Sequence, residues 1–143
     1  MHRSPRPGLL MTAALALSGV AACSGDVLDV TVGDCLDRSD LQGEQVSSVS
    51  TLDCAEPHDV EVYSQVELPE GPYPGEDRVR ALTEEHCTTA FEDFVGVPYE
   101  DSELYFSYLT PTEESWSDAE DRTGLCLLLA DEPVTGSLEG AGS

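Results

Sequence analysis

The chain has 143 residues and a formal net charge of −23 at pH 7, because 29 acidic residues face only six basic ones. This length fits one domain. A surface this acidic repels nucleic-acid phosphate and anionic lipid headgroups, so we exclude nucleic acid as a partner. Calcium binding or a cationic partner would also use acidic residues. We favour a solvated surface that keeps the chain soluble, and no EF-hand loop motif is present.

The first 22 residues predict a lipoprotein signal peptide. Arg3 and Arg6 form a positive start, and the apolar run at 9–22 is too short to span a bilayer, which needs roughly 20 residues. Val-Ala-Ala-Cys at 20–23 is typical of a lipobox, in which Cys23 takes a diacylglyceryl group with acyl chains such as palmitate. The alternative is an ordinary signal peptide with an incidental cysteine. We expect Cys23 to be lipidated and to become the new N-terminus.

The predicted organisation follows from that cleavage. Residues 23–29 form a lipidated tether, 30–131 a single domain, and 132–143 a flexible C-terminal tail. A tether this short reaches at most about 20 Å. The domain would therefore sit close to the cell membrane, lipid-anchored and facing the extracytoplasmic side.

Strand patterns come before and after one helix. Strands are predicted at 30–36, 46–53, 59–68, 104–110 and 124–130. The third is the clearest, with Val60, Val62, Val66 and Leu68 on one face and polar residues, including Glu61, on the other. The helix is predicted at 76–96, with Asp77 as its cap and Gly96 as its stop. Residues 111–122 read as an acidic loop, and the whole is an α+β domain with one helix packed on a small antiparallel sheet.

Five cysteines are present, and lipidation of Cys23 leaves four for two disulfides. Export makes disulfides plausible, and no Cys-x-x-Cys spacing indicates a zinc knuckle or a redox motif. Four cysteines allow three pairings. We favour Cys35–Cys54, which ties two successive strands, and Cys87–Cys126, which joins the helix to the central strand. Cys87 lies four residues before Phe91, so its thiol should point into the core.

The segment "CAEPHDVE" holds the most suggestive chemistry. His58 has Asp59 beside it and Glu56 and Glu61 nearby, a set that could bind zinc or let the imidazole act as a general base. The competing interpretation is a turn in which the imidazole is bonded to backbone or carboxylate, and we favour it because no convergent cleft is visible. His86, next to Cys87, is expected at the rim of the core.

Trp116 and Arg122 complete the candidate binding residues, with His58 and Asp59. Aromatic and arginine side chains serve interfaces and small cores alike, so both interpretations of Trp116 stay open. Arg122 lies in an acidic loop and is expected to bond nearby carboxylates. Nothing in the sequence implies a cofactor, and the metal content stays open.

Several segments together resemble the septum formation domain family of actinobacteria. They are "VGDCL" (32–36), "LDCAEPHDVEVY" (52–63), "LPEGPYPG" (68–75), "CTTAFEDFVGVPYEDS" (87–102), "PTEESWSDAEDRTGLCLL" (111–128) and "TGSL" (135–138). The resemblance implies an exported or membrane-attached envelope domain and a link to septation or cell-wall growth. One departure is local: family members often carry glycine where Glu120 precedes Asp121 and Arg122.

These patterns favour a non-enzymatic lipoprotein that binds an envelope protein, a division protein or a cell-wall component. The alternatives are a metal-binding envelope protein, or an enzyme acting on the cell wall, using His58 and nearby carboxylates. No nucleophile elbow, zinc-protease helix or phosphate loop is present. Oxidised cysteines would also leave no thiol nucleophile.

Overall fold

A six-stranded antiparallel sheet is the frame of the protein in the computed structural model, which describes residues 24–43 and 46–142. The predicted signal peptide and Cys23 lie outside the described residues. The strands are β1 (Ser24–Asp26), β2 (Cys35–Leu36), β3 (Ser48–Leu52), β4 (His58–Glu67), β5 (Tyr105–Leu109) and β6 (Thr123–Val134). The helices are α1 (Glu76–Val95) and α2 (Glu113–Asp118), with short 3-10 turns at Val27–Asp29, Arg38–Leu41 and Tyr99–Asp101. The spatial order is β1-β3-β2-β4-β6-β5.

The predicted fold class is confirmed: one long helix packs on an antiparallel sheet. The sheet buries both of its faces, which makes its central strands apolar on both sides. Alternate residues of β6 show this, since Cys126 and Leu128 pack with α1 whereas Leu125 and Leu127 pack with the segments before β4. The continuous apolar run in β6 thus has a direct structural cause.

The first predicted strand is much shorter than expected. Only β2 at its end pairs, because a turn at Thr31 to Asp34 interrupts the chain. The Thr31 N–H donates to Asp34 Oδ2 at 2.8 Å, and the Asp34 N–H donates to the Thr31 carbonyl at 3.2 Å. Gly33 takes a φ of 97° within this turn, a value that glycine tolerates.

Strand β4 departs from simple alternation. Val60 and Val62 are buried as predicted, but Glu61 and Tyr63 are buried as well. A register shift against β6 lies between Val62 and Ser64, and the helix covers the face where polar residues were expected. The placement of Glu61 on an exposed face was therefore wrong.

Helix α1 begins at Glu76, with Gly75 as its cap residue and no side-chain cap bond. Asp77 lies in the first turn, so its predicted capping role was wrong. In that position its carboxylate still interacts favourably with the positive end of the helix dipole. Gly96 ends the helix in the left-handed conformation, as predicted. Residues spaced four apart, among them Cys87 and Phe91, form the buried face.

Both preferred disulfides are confirmed. Cys35 and Cys54 are joined with their Cα atoms 5.3 Å apart, and Cys87 and Cys126 with theirs 5.4 Å apart. The first bond ties β2 to the loop after β3. The second joins the middle of α1 to β6, the strand on which the helix packs.

The expected tether is part of the fold. β1 pairs with β3, with Ser24 opposite Ser50, and the following 3-10 turn places the Val27 N–H 3.2 Å from the Ser47 carbonyl. The edge of β3 offers backbone groups that these residues satisfy. Ser24–Asp26 thus belongs to the sheet.

The expected tail is part of the fold too. β6 runs on to Val134, so the predicted boundary at 131–132 falls inside a strand. Leu138 is buried, and the N–H groups of Gly140 and Gly142 donate to the carbonyls of Phe94 and Val95. The last carbonyls of a helix lack partners within it, and here the C-terminal segment supplies them.

The acidic segment 111–122 contains α2, which the sequence analysis placed in a loop. Thr112 and Ser115 form a reciprocal capping box at its start. Glu120 follows the helix with a φ of 53°, in the left-handed region that favours glycine. Of the helices in the described residues, none combines the length and apolar character needed to cross a membrane.

Candidate functional site: a buried histidine and carboxylate beside a disulfide

His58 opens β4 with only 2% of its surface exposed. Its Nδ1 lies 2.8 Å from the backbone carbonyl of Glu56. A carbonyl only accepts, so Nδ1 carries the proton, and in the neutral ring the lone pair is on Nε2. That Nε2 is buried and has no hydrogen-bond partner among the described residues. The predicted backbone bond of this imidazole is confirmed.

Glu61 lies three residues further along β4, directly opposite Cys35 in the pairing of β2 with β4. It is 3% exposed. Its Oε1 accepts from the Ser137 hydroxyl at 2.7 Å, and its Oε2 accepts from the Leu138 N–H at 2.6 Å. Burying a carboxylate is costly unless it is hydrogen-bonded, and the C-terminal segment provides those bonds.

Cys35 completes the cluster. One ligand atom from each residue, the Cys35 sulfur, a His58 ring nitrogen and a Glu61 carboxylate oxygen, lies within 4.8 Å of the other two, and all three residues are buried. Because the Cys35 sulfur is bonded to Cys54, the oxidised protein offers only a nitrogen and an oxygen here. The arrangement is a partly complete metal-ligand set.

Asp59 does not join His58, since neighbouring residues on a strand point to opposite faces. Its Oδ1 accepts from the Arg38 N–H at 2.7 Å, and its Oδ2 lies 3.8 Å from Arg38 Nε. The Arg38 guanidinium also donates to the Ala130 carbonyl. Asp59 thus positions Arg38 and is not an orienting carboxylate for the histidine.

Trp116 and Arg122 form a separate cluster. Trp116 is 3% exposed and donates from Nε1 to the Gly71 carbonyl at 2.8 Å. The Cζ atom of Arg122 lies 3.8 Å from the centroid of the Trp116 ring, and Nη1 donates to the Trp116 carbonyl at 2.8 Å. Arg122 Nε is 3.7 Å from a Glu70 carboxylate oxygen, so the expected ion pair is present. Trp116 belongs to the core rather than to a recognition surface.

His86 lies at the rim, as expected. It is half-buried on α1, and its Nε2 is 2.9 Å from the Ser64 hydroxyl. Tyr63 lies deeper in the core and donates to the Cys87 carbonyl at 2.7 Å. Burial, with a smaller contribution from Tyr99, raises the pKa of Tyr63 above its usual value.

A groove of about 1020 Å³ runs beside the edge strand β5. The residues that line it come from several segments: Val27, Leu41, Gly43, Val46, Tyr73 to Glu76, Ser107 to Glu113, and Leu127. Its wall mixes apolar residues with two carboxylates, Glu76 and Glu113. It is lined by none of His58, Asp59, Trp116 or Arg122.

The proximity of Cys35 to His58 was not predicted from the sequence. Both the pairing of the two-residue strand β2 and its register against β4 create that proximity. The signal available was the choice of disulfide, which places Cys35 near the loop that precedes His58. Nothing in the local pattern distinguished the buried Glu61 from the exposed Glu67 on the same strand.

Comparison with known proteins identifies the family to which this chain belongs. Two curated relatives, both described as an uncharacterized membrane protein and coming from two strains of Mycobacterium tuberculosis, are each 29% identical over 114 residues. The match covers 73% of this chain and 25% of each relative, so the chain spans about a quarter of their length. No solved structure matches. The septum formation family profile matches residues 32–143, and the chain therefore belongs to the septum formation family.

Proposed function

We propose that the protein is a non-enzymatic binding domain of the cell envelope, linked to septum formation or cell-wall growth. Family membership supports the link to septum formation. The observation that carries the binding role is the separation of the candidate catalytic groups. His58 is buried, Asp59 is held by Arg38, and Trp116 lies in the core. Acid–base catalysis needs such groups together beside a substrate.

In this role the domain would lie on the extracytoplasmic face of the cell membrane, anchored by lipid on Cys23. Two disulfides support an oxidising compartment. The anchor would be adjacent to β1, since Ser24 already pairs with Ser50. Such an anchor would place the β1 edge of the sheet next to the bilayer.

The groove beside β5 is the surface we assign to the partner. β5 pairs only with β6, so its other edge is open to strand addition within the described residues. Glu76 and Glu113 line the groove of a chain that carries 29 acidic residues. A complementary occupant is therefore an extended peptide segment with basic residues, belonging to an envelope or division protein.

The first test is a pull-down from crosslinked envelope with the lipid-anchored protein. We expect one division or wall-synthesis protein to be recovered, and to be lost with Cys23→Ser because that variant leaves the membrane. Retention of Cys23→Ser on membranes after a salt wash would disprove the lipid anchor. Equal recovery of the partner by the released variant would show that membrane placement plays no part in binding.

The second test concerns the groove. Ser107→Arg places a cation and a bulky side chain at the groove wall, so we expect it to reduce recovery of the partner at least tenfold. Gln65→Arg is the matched control: Gln65 is an exposed polar strand position outside the groove. Equal recovery by both variants would exclude the groove as the binding surface.

A further inference from the structure

Cys35, His58 and Glu61 are three potential metal ligands, of which only the Cys35 sulfur is occupied, because it is bonded to Cys54. His58 and Glu61 contribute a nitrogen and an oxygen, and the Cys35 sulfur lies within 4.8 Å of both ligand atoms. Ligands at zinc distances of about 2.0–2.3 Å in a tetrahedral site are about 3.3–3.8 Å apart. Closing the largest remaining gap between two ligand atoms takes about 1–1.5 Å. A cysteine side chain released from its disulfide gains that freedom by rotation about χ1.

The groups behind the ligands are already in place. Metal-binding histidines commonly donate their second ring N–H to a carbonyl or carboxylate, and His58 donates Nδ1–H to the Glu56 carbonyl. Each Glu61 oxygen accepts one hydrogen bond and keeps a second lone pair. His58 Nε2 is buried and has no hydrogen-bond partner among the described residues, so this ring keeps one nitrogen available for a ligand bond.

The disulfide is asymmetric in its exposure. Cys35 is fully buried, whereas Cys54 is half-buried. Attack by an external thiolate, RS⁻, is therefore directed to the Cys54 sulfur. The S–S bond breaks, an R–S–S–Cys54 mixed disulfide forms, and Cys35 leaves as a thiolate. A second thiol releases RSSR and leaves Cys54 reduced, so two thiols are oxidised as one protein disulfide is reduced.

We propose that thiol reduction of Cys35–Cys54 uncovers a divalent metal site formed by Cys35, His58 and Glu61, and that Zn²⁺ is the ion that fits it. A thiolate, an imidazole and a carboxylate together suit zinc better than calcium or magnesium, which take oxygen ligands. A buried thiolate beside a buried carboxylate also requires a cation to compensate both charges. The oxidised disulfide closes the site, so metal binding depends on the thiol state of the surroundings.

The test uses single variants that need no reductant. In a Cys23→Ser chain, which lacks the fifth thiol, Cys54→Ser frees Cys35 and Cys35→Ser frees Cys54. Both variants lose the same disulfide, so they differ only in the thiol that remains. We expect Cys54→Ser to bind one Zn²⁺ per chain and to show thiolate-to-metal absorption with Co²⁺. Cys35→Ser should do neither, and adding His58→Gln to Cys54→Ser should weaken binding at least tenfold.

Equal binding by the two single variants, or no binding by folded Cys54→Ser, would overturn the proposal. The fluorescence of Trp116, the only tryptophan, reports whether each variant is folded. A second measurement avoids the variants at Cys35 and Cys54. In a fixed ratio of reduced to oxidised glutathione, Zn²⁺ should raise the reduced fraction of Cys35–Cys54, as measured by alkylation and mass spectrometry. Cys87–Cys126 is the internal control, and a Zn²⁺ effect that is absent or equal at both disulfides would also disprove the site.

Discussion

The backbone N–H of Leu138 donates to the Glu61 carboxylate at 2.6 Å, across 77 positions of sequence. The Gly136 N–H donates to the Cys54 carbonyl at 2.6 Å, so the same segment also bonds to the loop that carries the first disulfide. Leu138 is itself buried in the cluster under α1. One carboxylate in the middle of the sheet therefore holds the C-terminal segment against the core.

Glu61→Ala should lower the free energy of unfolding by about 2–3 kcal/mol, because it removes two hydrogen bonds to a charged acceptor and leaves a buried N–H unpaired. Urea denaturation measures this difference. Glu67→Ala is the control, since Glu67 is exposed on the same strand and its side chain accepts from the Thr123 hydroxyl at 3.1 Å in an exposed contact. A loss from Glu61→Ala no larger than the control would mean that the segment is held by other contacts.

Glu120→Gly should stabilise the protein by about 1 kcal/mol, because a residue with a side chain is strained at a φ of 53°. Thermal and urea unfolding both measure the gain. Glu114→Gly makes the same chemical change inside α2, where glycine costs about 1 kcal/mol, so its effect should have the opposite sign. Destabilisation by Glu120→Gly would show that the glutamate side chain makes a compensating contribution.

Gly124→Ala should cost about 1–3 kcal/mol through overpacking between β6 and α1. A Cβ atom there would lie 2.5 Å from Thr83 Oγ1 and 2.8 Å from Thr83 Cγ2. Thr83 is held by a bond from its hydroxyl to the Val79 carbonyl, so it cannot turn away freely. Combining the change with Thr83→Ala should recover about 1 kcal/mol in a double-mutant cycle. Gly25→Ala, with open space around its Cβ, should be nearly neutral.

Tyr63 makes stability sensitive to alkaline pH. Its pKa is raised in the folded state, so its contribution is complete below the unfolded value of 10.0 and is lost as pH rises toward the folded pKa. Tyr63→Phe should cost about 1 kcal/mol at neutral pH, through loss of the bond to the Cys87 carbonyl. The difference in free energy of unfolding between Tyr63→Phe and the parent protein should narrow above pH 10. Tyr105→Phe, which removes a hydroxyl from an exposed ring, is the control. A difference in stability between Tyr63→Phe and the parent that stays constant with pH would contradict the assignment.

Patterns with strong local signals were predictable. The alternation in β4 located a strand, and Gly96 located the end of α1, because each depends on residues close in sequence. Both disulfides followed from assigning cysteines to neighbouring elements. Glutamate resists a positive φ, so its presence at position 120 argued against a left-handed turn there, yet Glu120 adopts a φ of 53°.

What could not be predicted depends on distant pairing. Residues 24–29 looked like a tether because nothing local shows that Ser24 pairs with Ser50. The segment after Val134 has few apolar residues, and it joins the core through burial of Leu138 and through bonds to Glu61, the Cys54 carbonyl and the end of α1. Likewise, the meeting of His58, Glu61 and Cys35 requires the register of β2 against β4, which the sequence pattern does not contain.

The pairing of β1 has a mechanical consequence. A pull on the chain ahead of Ser24 first loads a strand of only three residues, which would peel from β3. Peeling then stops at Cys35, since that residue is covalently tied to Cys54. Residues 24–34 released in this way span about 35 Å when extended. The β1 edge of the sheet can thus extend under tension, and the disulfide at Cys35 limits how far it extends while the rest of the domain stays folded.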